Sequence, residues 1–586
     1  MRGGGVDRSA AGQVYNPGMR LRLGLLVGLA ALLAAAWLQR GALSAWAYSL
    51  TGEEQPAAQV RGLWHLMVGA LRPPLDLRPE VPIRHNGVNP FGINTFLQQE
   101  VEPAKRERQV QLIAAAGFAW LRQEFPWADI EISGKGNFED CRNVAATGGC
   151  ISAWDKYDQI VGLAEQSGLT LMVRLSSPPA WTRADGDTRG AFAPPDNPAD
   201  FADFAEAVAR RYQGRLRYYQ VWNEPNIYPE WGDQPADPAG YATLLCAAYD
   251  RLKAVDPEIV VVAAPLAPTN PLGLINPATG AAAELNDFVY LQRLYSAGAG
   301  RCFDVMSVQG YGLGSGPTDR RQRPLQFNYA RNRFIRDLMV ANGDAAKAIW
   351  IAEMNWNAAP PEVPSIFGRV TAEQQARYVV EAYARAQSEW PWVGVNFFWF
   401  FKRASDDAQG EAWYYFRMAD PDFTLQPVYF AVQDYIAGAR AVYPGWFQED
   451  HWAVEWSGAW QTVADPAYTL GEARRAEAAG AGLRLAFVGT DLFLEVAPGT
   501  TNSTLTVNVD GRTRTVTATP GRVALAQALP DGRHTVELVS QGPLSVDGFI
   551  VRRLPDPTGW LLGGSLAVLA LAWLSLRRQT GAEGRK

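Results

Sequence analysis

The sequence predicts a parallel α/β domain followed by an antiparallel β domain, with an uncharged apolar segment near each end of the chain. Three observations carry this prediction. Between residues 86 and 445, eight short apolar runs alternate with amphipathic helical stretches. After Tyr443-Pro444-Gly445 the rhythm changes to short strands with period-two alternation and Asp-Gly turns. The segments Leu23–Leu38 and Trp560–Leu576 contain no charged residue.

Taken in order, residues 1–22 form a basic arm with Arg2, Arg8, Arg20 and Arg22, placed on the cytoplasmic side. The apolar segment at 23–40 follows. Its charge-free run of 16 residues suits either a transmembrane anchor or a signal peptide cut at Ala45-Trp46-Ala47. Apolar residues continue through Ala42-Leu43, which favours the uncleaved anchor. Residues 41–85 read as a linker; from 51 on they are rich in Pro and Arg, with an amphipathic piece near Leu63–Leu71, and are expected to run along the membrane or over the barrel's surface.

The α/β domain occupies 86–445. Its first strand is Asn89–Asn94, and the helix over 103–116 ends at Gly117, a glycine suited to a helix C-terminus. Ala119–Arg122 and Leu169–Arg174 are the second and third strands, separated by a cysteine-bearing loop and a helix at 153–167. A Pro-rich loop and a helix at 198–213 precede the fourth strand, Leu216–Asn223. The fifth and sixth are Ile259–Ala264 and Phe303–Val308. Helices at 327–342 and 371–388 flank the seventh, which starts at Ile349, and Gly394–Trp399 is the eighth. An open doubly wound sheet has the same rhythm, but the chain lacks a Gly-rich turn after its first strand, which argues against a dinucleotide fold. Residues 446–554 read as an antiparallel β-sandwich, 559–576 as a transmembrane helix and 577–586 as a basic cytoplasmic tail.

Charge and cysteine usage fit an extracytoplasmic domain. The net charge is −6, and each flank carries four basic residues and one acidic, so the part between them carries about −12. That excludes nucleic acid as an expected partner. Cys141 and Cys150 lie in one loop and are expected to pair in an oxidising compartment, whereas Cys246 and Cys302 are expected as buried thiols. Only four His occur, none in a cluster with Cys, so no metal and no cofactor is expected. Twenty-one Trp supply either sugar platforms or core.

The chemistry is carried by two strand ends. Tyr219-Gln220-Val221-Trp222-Asn223-Glu224-Pro225-Asn226 is an apolar strand ending in an amide and a carboxylate, stopped by Pro225. Ile349-Trp350-Ile351-Ala352-Glu353-Met354-Asn355-Trp356 is a second. Two glutamates on separate strands suit retaining glycoside hydrolysis, although a Glu after a strand also caps helices. Over roughly residues 86–440 the Trp-Asn-Glu-Pro-Asn motif, with the later strand-end Glu, resembles the clan of retaining glycoside hydrolases that includes cellulases and β-xylosidases. The resemblance implies a (β/α)8 TIM barrel with the acid/base after the fourth strand and the nucleophile on the seventh. The strands of 446–554 in turn look like the jelly-roll modules often appended to secreted glycosidases, some of which bind carbohydrate while many only brace the barrel. Many members carry histidines near the third and sixth strands; this chain has none between residues 86 and 450.

On that resemblance Glu224 is expected as acid/base and Glu353 as nucleophile, with carboxyls about 5–5.5 Å apart. Asn223 is expected to bond the hydroxyl beside the anomeric carbon, Arg122 to hold Glu353 ionised and Tyr311 to orient it. Trp399 is expected as the floor under the sugar ring, with Trp181, Trp231 and Trp356 as lesser subsite aromatics. The expected partners are an oligo- or polysaccharide substrate and the lipid bilayer. A barrel-scaffold protein that binds polysaccharide without turnover, and a transglycosidase, are the alternatives.

Overall fold

The computed structural model describes residues 38–270, 272 and 284–554. The segment 559–576 and all but the last three residues of 23–40 lie outside the described residues. Among the described residues, no helix is long and apolar enough to cross a membrane. The chain divides into two compact units, residues 1–72 with 318–322, and the remainder.

In the first unit, the stretch expected as a linker carries two helices, α1 (Arg40–Thr51) and α2 (Pro56–Gly69). Proline at the start of α2 has the fixed φ a first helical turn needs, and Gly52 ends α1 in the left-handed conformation. Gly62 packs on Thr51 so closely that a Cβ there would lie 2.7 Å from Thr51 Cγ2. Residues 318–322 attach to the hairpin through Thr318 Oγ1 to Tyr48 O (2.6 Å), Arg320 N to Leu50 O (2.9 Å) and Arg321 to Glu53 (2.7 Å).

The second unit is built around eight parallel strands: β1 (Phe91–Thr95), β2 (Trp120–Pro126), β3 (Thr170–Ser176), β4 (Tyr218–Val221), β5 (Val260–Ala263), β6 (Met306–Gln309), β7 (Ile349–Met354) and β8 (Val393–Phe398). Their hydrogen-bonded order is β5-β4-β3-β2-β1-β8-β7-β6. The free edges of β5 and β6 are joined by parallel bridges, Val262 to Val305 and Leu266 to Val308, so the sheet closes on itself. Every residue of β1, β5, β6 and β7 is buried, as strands covered on both faces require. Between the strands run α3 (Pro103–Ala115), α4 (Asp155–Gln166), α5 (Pro198–Arg211), α6 (Pro238–Val255), α7 (Asp287–Ser296), α8 (Asn332–Ala341) and α9 (Ala372–Glu389), with α10 (Pro427–Gly438) after β8. Several starts are written locally: Asn197 and Asp237 cap α5 and α6, each followed by Pro, and Thr371 with Gln374 forms a capping box on α9.

One irregularity bears on the site. Against β6, Val308 faces Ile351 but Gln309 faces Glu353, so Ala352 is an extra residue in β7. Such a bulge re-aims the side chain that follows it.

The C-terminal strands are β9 (Gly445–Gln448), β10 (Glu455–Ser457), β11 (Gln461–Ala464), β12 (Glu472–Ala476), β13 (Gly482–Gly489), β14 (Asp491–Val496), β15 (Ser503–Val509), β16 (Arg512–Ala518), β17 (Gly521–Ala526), β18 (Gly532–Ser540) and β19 (Leu544–Arg552). They form two antiparallel sheets, β11-β12-β19-β14-β17 with β9 also on β19, and β10-β13-β18-β15-β16. Leu485, Phe487, Leu505 and Val536 of one sheet share a core with Leu492, Leu494, Val546 and Phe549 of the other. The sandwich meets the barrel through Trp452 N to Gly87 O (2.8 Å) and Asn86 Nδ2 to Trp446 O (3.4 Å).

Both cysteine pairs are closed. Cys141 joins Cys150, and Cys246 joins Cys302 with Cα atoms 4.8 Å apart. The second pair corrects the expectation of buried thiols: the barrel returns the turn before β6 to the flank of α6, although the two cysteines are 56 residues apart in sequence.

Candidate active site

The site is assembled at the C-terminal ends of the barrel strands, where residues remote in sequence share one rim. Arg122, in the middle of β2 and 2% exposed, organises it. Its Nε donates to Gln220 Oε1 (2.8 Å), and Nη1 donates to Asn94 Oδ1 (2.7 Å) and Glu353 Oε1 (2.8 Å). Its Nη2 donates to Asn223 Oδ1 (2.8 Å). One guanidinium therefore grips the carboxylate of β7 and the amide beside Glu224 together. Burial works against the charge on Arg122, and Glu353 opposes that loss.

The second oxygen of Glu353 accepts from the Tyr311 hydroxyl at 2.7 Å. Burial and the neighbouring Glu353 carboxylate raise Tyr311 well above its ordinary range, so it stays a donor. Glu353 thus has both oxygens bonded by donors and is 4% exposed.

Glu224 has different surroundings. It follows β4 at φ 34°, after Trp222 at φ 72°, and its N–H donates to Pro265 O (3.1 Å). Its side chain accepts a hydrogen bond from Gln309 Nε2 (2.6 Å), a neutral donor. Burial, the charge of Glu353 and that of Glu230 raise its pKa well above the carboxylate range. Two carboxyls in one network thus have unlike partners: the one on β7 is held by a cation and a hydroxyl, the one after β4 by an amide.

A third carboxyl joins them. The loop after β4 folds back so that Trp222 Nε1 donates to Glu230 O (2.7 Å), and the Glu230 side chain bonds Asn223. Burial pushes Glu230 up to about 7, against the pull of Arg174. Beside it, Arg174 on β3 pairs with Glu124 on β2 at 2.6 Å. Burial alone would raise Glu124; Arg174 and the Ser176 and Ser177 hydroxyls, each 2.8 Å away where they bond it, outweigh burial and hold it low.

The residues singled out from sequence divide into two groups. Arg122, Asn223, Glu224, Tyr311 and Glu353 converge in this network. Trp399 directly follows β8 and is half-buried, with its ring edge-on to Phe96 at 5.5 Å. Trp181 is also half-buried and packs edge-on against Trp127, its indole N–H donated to Glu131 O (2.9 Å). Two subsite aromatics are corrected. Trp356 is 1% exposed, bonded to Ser315 O, with Gly312 lying against its indole so that a Cβ would sit 2.2 Å from Nε1. Trp231 is 4% exposed and packed between Trp222 and Tyr241. Both side chains are buried, Trp356 almost completely.

Sequence reasoning missed Gln309 and Glu230. Gln309 stands two residues before Tyr311 at the same strand end, and that position was the available signal. Glu230 sits in a loop six residues past Glu224 and carried none. Among the described residues no group of His, Cys, Asp or Glu is assembled to hold a metal.

Residues 467–543 match a family model described as carbohydrate esterase 2 N-terminal. No curated protein matches the chain. Similar solved structures include a family 39 glycoside hydrolase from Bacteroides cellulosilyticus, at 16% identity and TM-score 0.44, covering 80% of this chain and 83% of that one. A family 39 β-xylosidase from Caulobacter crescentus is similar at 16% identity and TM-score 0.42, covering 80% and 99%. A family 30 endoxylanase from Clostridium papyrosolvens is similar at 12% identity and TM-score 0.39, covering 80% and 99%. At identities and TM-scores this low, the chemistry must be read from the side chains themselves.

Proposed function

We propose that this chain is a membrane-anchored, extracytoplasmic retaining glycoside hydrolase that cleaves β-linked O-glycosides by double displacement. The observation that carries the reading is the pair of carboxyls with unlike partners in one network, Glu353 bonded by a guanidinium and a phenol and Glu224 by an amide. Glu224, kept neutral, protonates the glycosidic oxygen as the bond to the leaving group breaks. Glu353, oriented by its bonds to Arg122 and Tyr311, attacks the anomeric carbon and forms the glycosyl ester. Esterification removes the negative charge of Glu353, one of the causes that raise Glu224. Glu224 then releases its proton more readily and acts as base toward water, which hydrolyses the ester. Asn223, fixed through its oxygen by Arg122, is positioned to bond the hydroxyl beside the anomeric carbon, and Trp399 offers the apolar floor.

The location is supported by the charge-free runs Leu23–Leu38 and Trp560–Leu576 with basic flanks, and by two disulfides, which persist in oxidising compartments. The sandwich braces the barrel through the backbone bond from Trp452 to Gly87 and the bond from the Asn86 side-chain amide to Trp446 O. A panel of chromogenic α- and β-glycosides tests the activity. The expected result is release from a β-glycoside by the native chain and its loss in Glu353→Ala. A chain that binds oligosaccharide equally with and without Glu353 and turns over no glycoside would refute the reading.

A further inference from the structure

The hairpin of α1 and α2 is built inside out. Its helix-to-helix face is small and polar: Ser44, Ala47, Thr51, Gln59 and Gly62. Gln59 Nε2 alone donates to Ser44 O (3.1 Å), Ser44 Oγ (3.1 Å) and Glu53 O (2.9 Å), and Thr51 Oγ1 donates to Ala47 O (2.7 Å). The large apolar side chains point the other way. Val60 (68% exposed), Trp64 (59%), Met67 (57%) and Leu71 (87%) recur at helical spacing and form one stripe along α2, continuing two residues past its Gly69 end. On α1, Leu43 and Trp46 are exposed in the same way, and Leu38 precedes them.

In water a helical hairpin buries its large apolar residues and exposes its polar ones. The reverse arrangement, with helices joined by small residues and side-chain amides, suits a pair whose outer face meets hydrocarbon. Neither helix is long enough to span: 12 and 14 residues reach only about 18 and 21 Å, against a hydrocarbon core of about 30 Å. Two Trp and the exposed Arg40 and Arg61 are the residue types that settle at the boundary between acyl chains and headgroups. The hairpin also begins where the charge-free run Leu23–Leu38 ends.

We propose that this hairpin is a membrane-interface element, lying in the plane of the bilayer with the Val60, Trp64, Met67 and Leu71 stripe among the acyl chains. The inference extends the anchored reading given above and rests on it. It changes what that reading means: attachment is made by a surface as well as by a single segment.

The test uses the full chain in phosphatidylcholine and phosphatidylglycerol vesicles. Val60→Cys, Trp64→Cys, Met67→Cys and Leu71→Cys variants are each labelled with an environment-sensitive fluorophore, with Gln55→Cys in the inter-helix turn as reference. The four native cysteines are paired, so label goes to the introduced thiol. The expected result is quenching by nitroxide-labelled lipids several-fold stronger at the four stripe positions than at Gln55, with protection there from aqueous iodide. If the chain sediments with vesicles but the stripe reports water, the hairpin inference is overturned and the anchor stands. Disulfide-linked dimers of unlabelled Trp64→Cys in place of lipid quenching would overturn it in favour of a second copy covering the stripe. A chain that does not sediment with vesicles overturns both the hairpin and the anchor.

Discussion

Arg122 makes four side-chain bonds with no water-exposed face, and that density makes the site brittle. Arg122→Met leaves Glu353 buried opposite no cation. The expected cost is about 3–5 kcal/mol of stability, read by denaturant unfolding, together with loss of turnover. Glu224→Gln removes the acid while keeping its shape. Turnover is expected to fall by about 10²–10⁴-fold on substrates whose leaving group needs a proton, and far less on activated aryl glycosides. Glu230 gives a pH prediction. Its charge is one of the causes that raise Glu224, so Glu230→Gln should move the alkaline limb of kcat/KM to lower pH. The same variant has a stability signature. Burial raises Glu230 from 4.5 to about 7 in the folded protein, so its contribution is complete below pH 4.5 and lost as pH rises through 7. The Tm of Glu230→Gln relative to the native chain should therefore climb between those two values. Asn223, Glu224, Tyr311 and Glu353 were legible because each is polar at or just past the end of an apolar strand, and Arg122 because it is a charge within one. Gln309 carries no charge to mark it, and only its register opposite Glu353 reveals that it reaches Glu224. Trp231 and Trp356 show the limit of counting aromatics, since rim loops fold tryptophans into the core as readily as onto the cleft.

At the scale of elements, the Cys246–Cys302 bridge ties α6 to the turn before β6 and closes a loop of 56 residues. By chain entropy its removal in a Cys246→Ser, Cys302→Ser double variant should cost up to about 4 kcal/mol, seen as a lower midpoint in denaturant. A second expectation concerns α1. Cleavage after Ala47 would cut that helix in its interior, where Ala47 is 5% exposed, so the folded hairpin requires an uncut chain. Intact-mass measurement of membrane-extracted protein should find residues 38–51 retained. The strands of the barrel were legible because each is a compact apolar run bounded by polar loops. The bulge at Ala352 was not, because nothing local distinguishes it from the residues around it. The two N-terminal helices were read as linker because their apolar residues face outward, contrary to the pattern a core-facing helix writes.

For the molecule as a whole, alternation of strand and helix allowed either an open sheet or a closed barrel. The pairing of β1 with β8 and the bridges between β5 and β6 decide for closure, and closure brings β2, β4, β6 and β7 to one rim. The proposed chemistry depends on that convergence: an acid supplied after β4 and a nucleophile on β7 must act on one bond from opposite sides. Stereochemistry reports it most directly. Proton NMR of the first sugar released, recorded before mutarotation, should show the anomer with the configuration of the substrate. Release of the opposite anomer would mean that water attacks directly, and the assignment of Glu353 as nucleophile would be wrong.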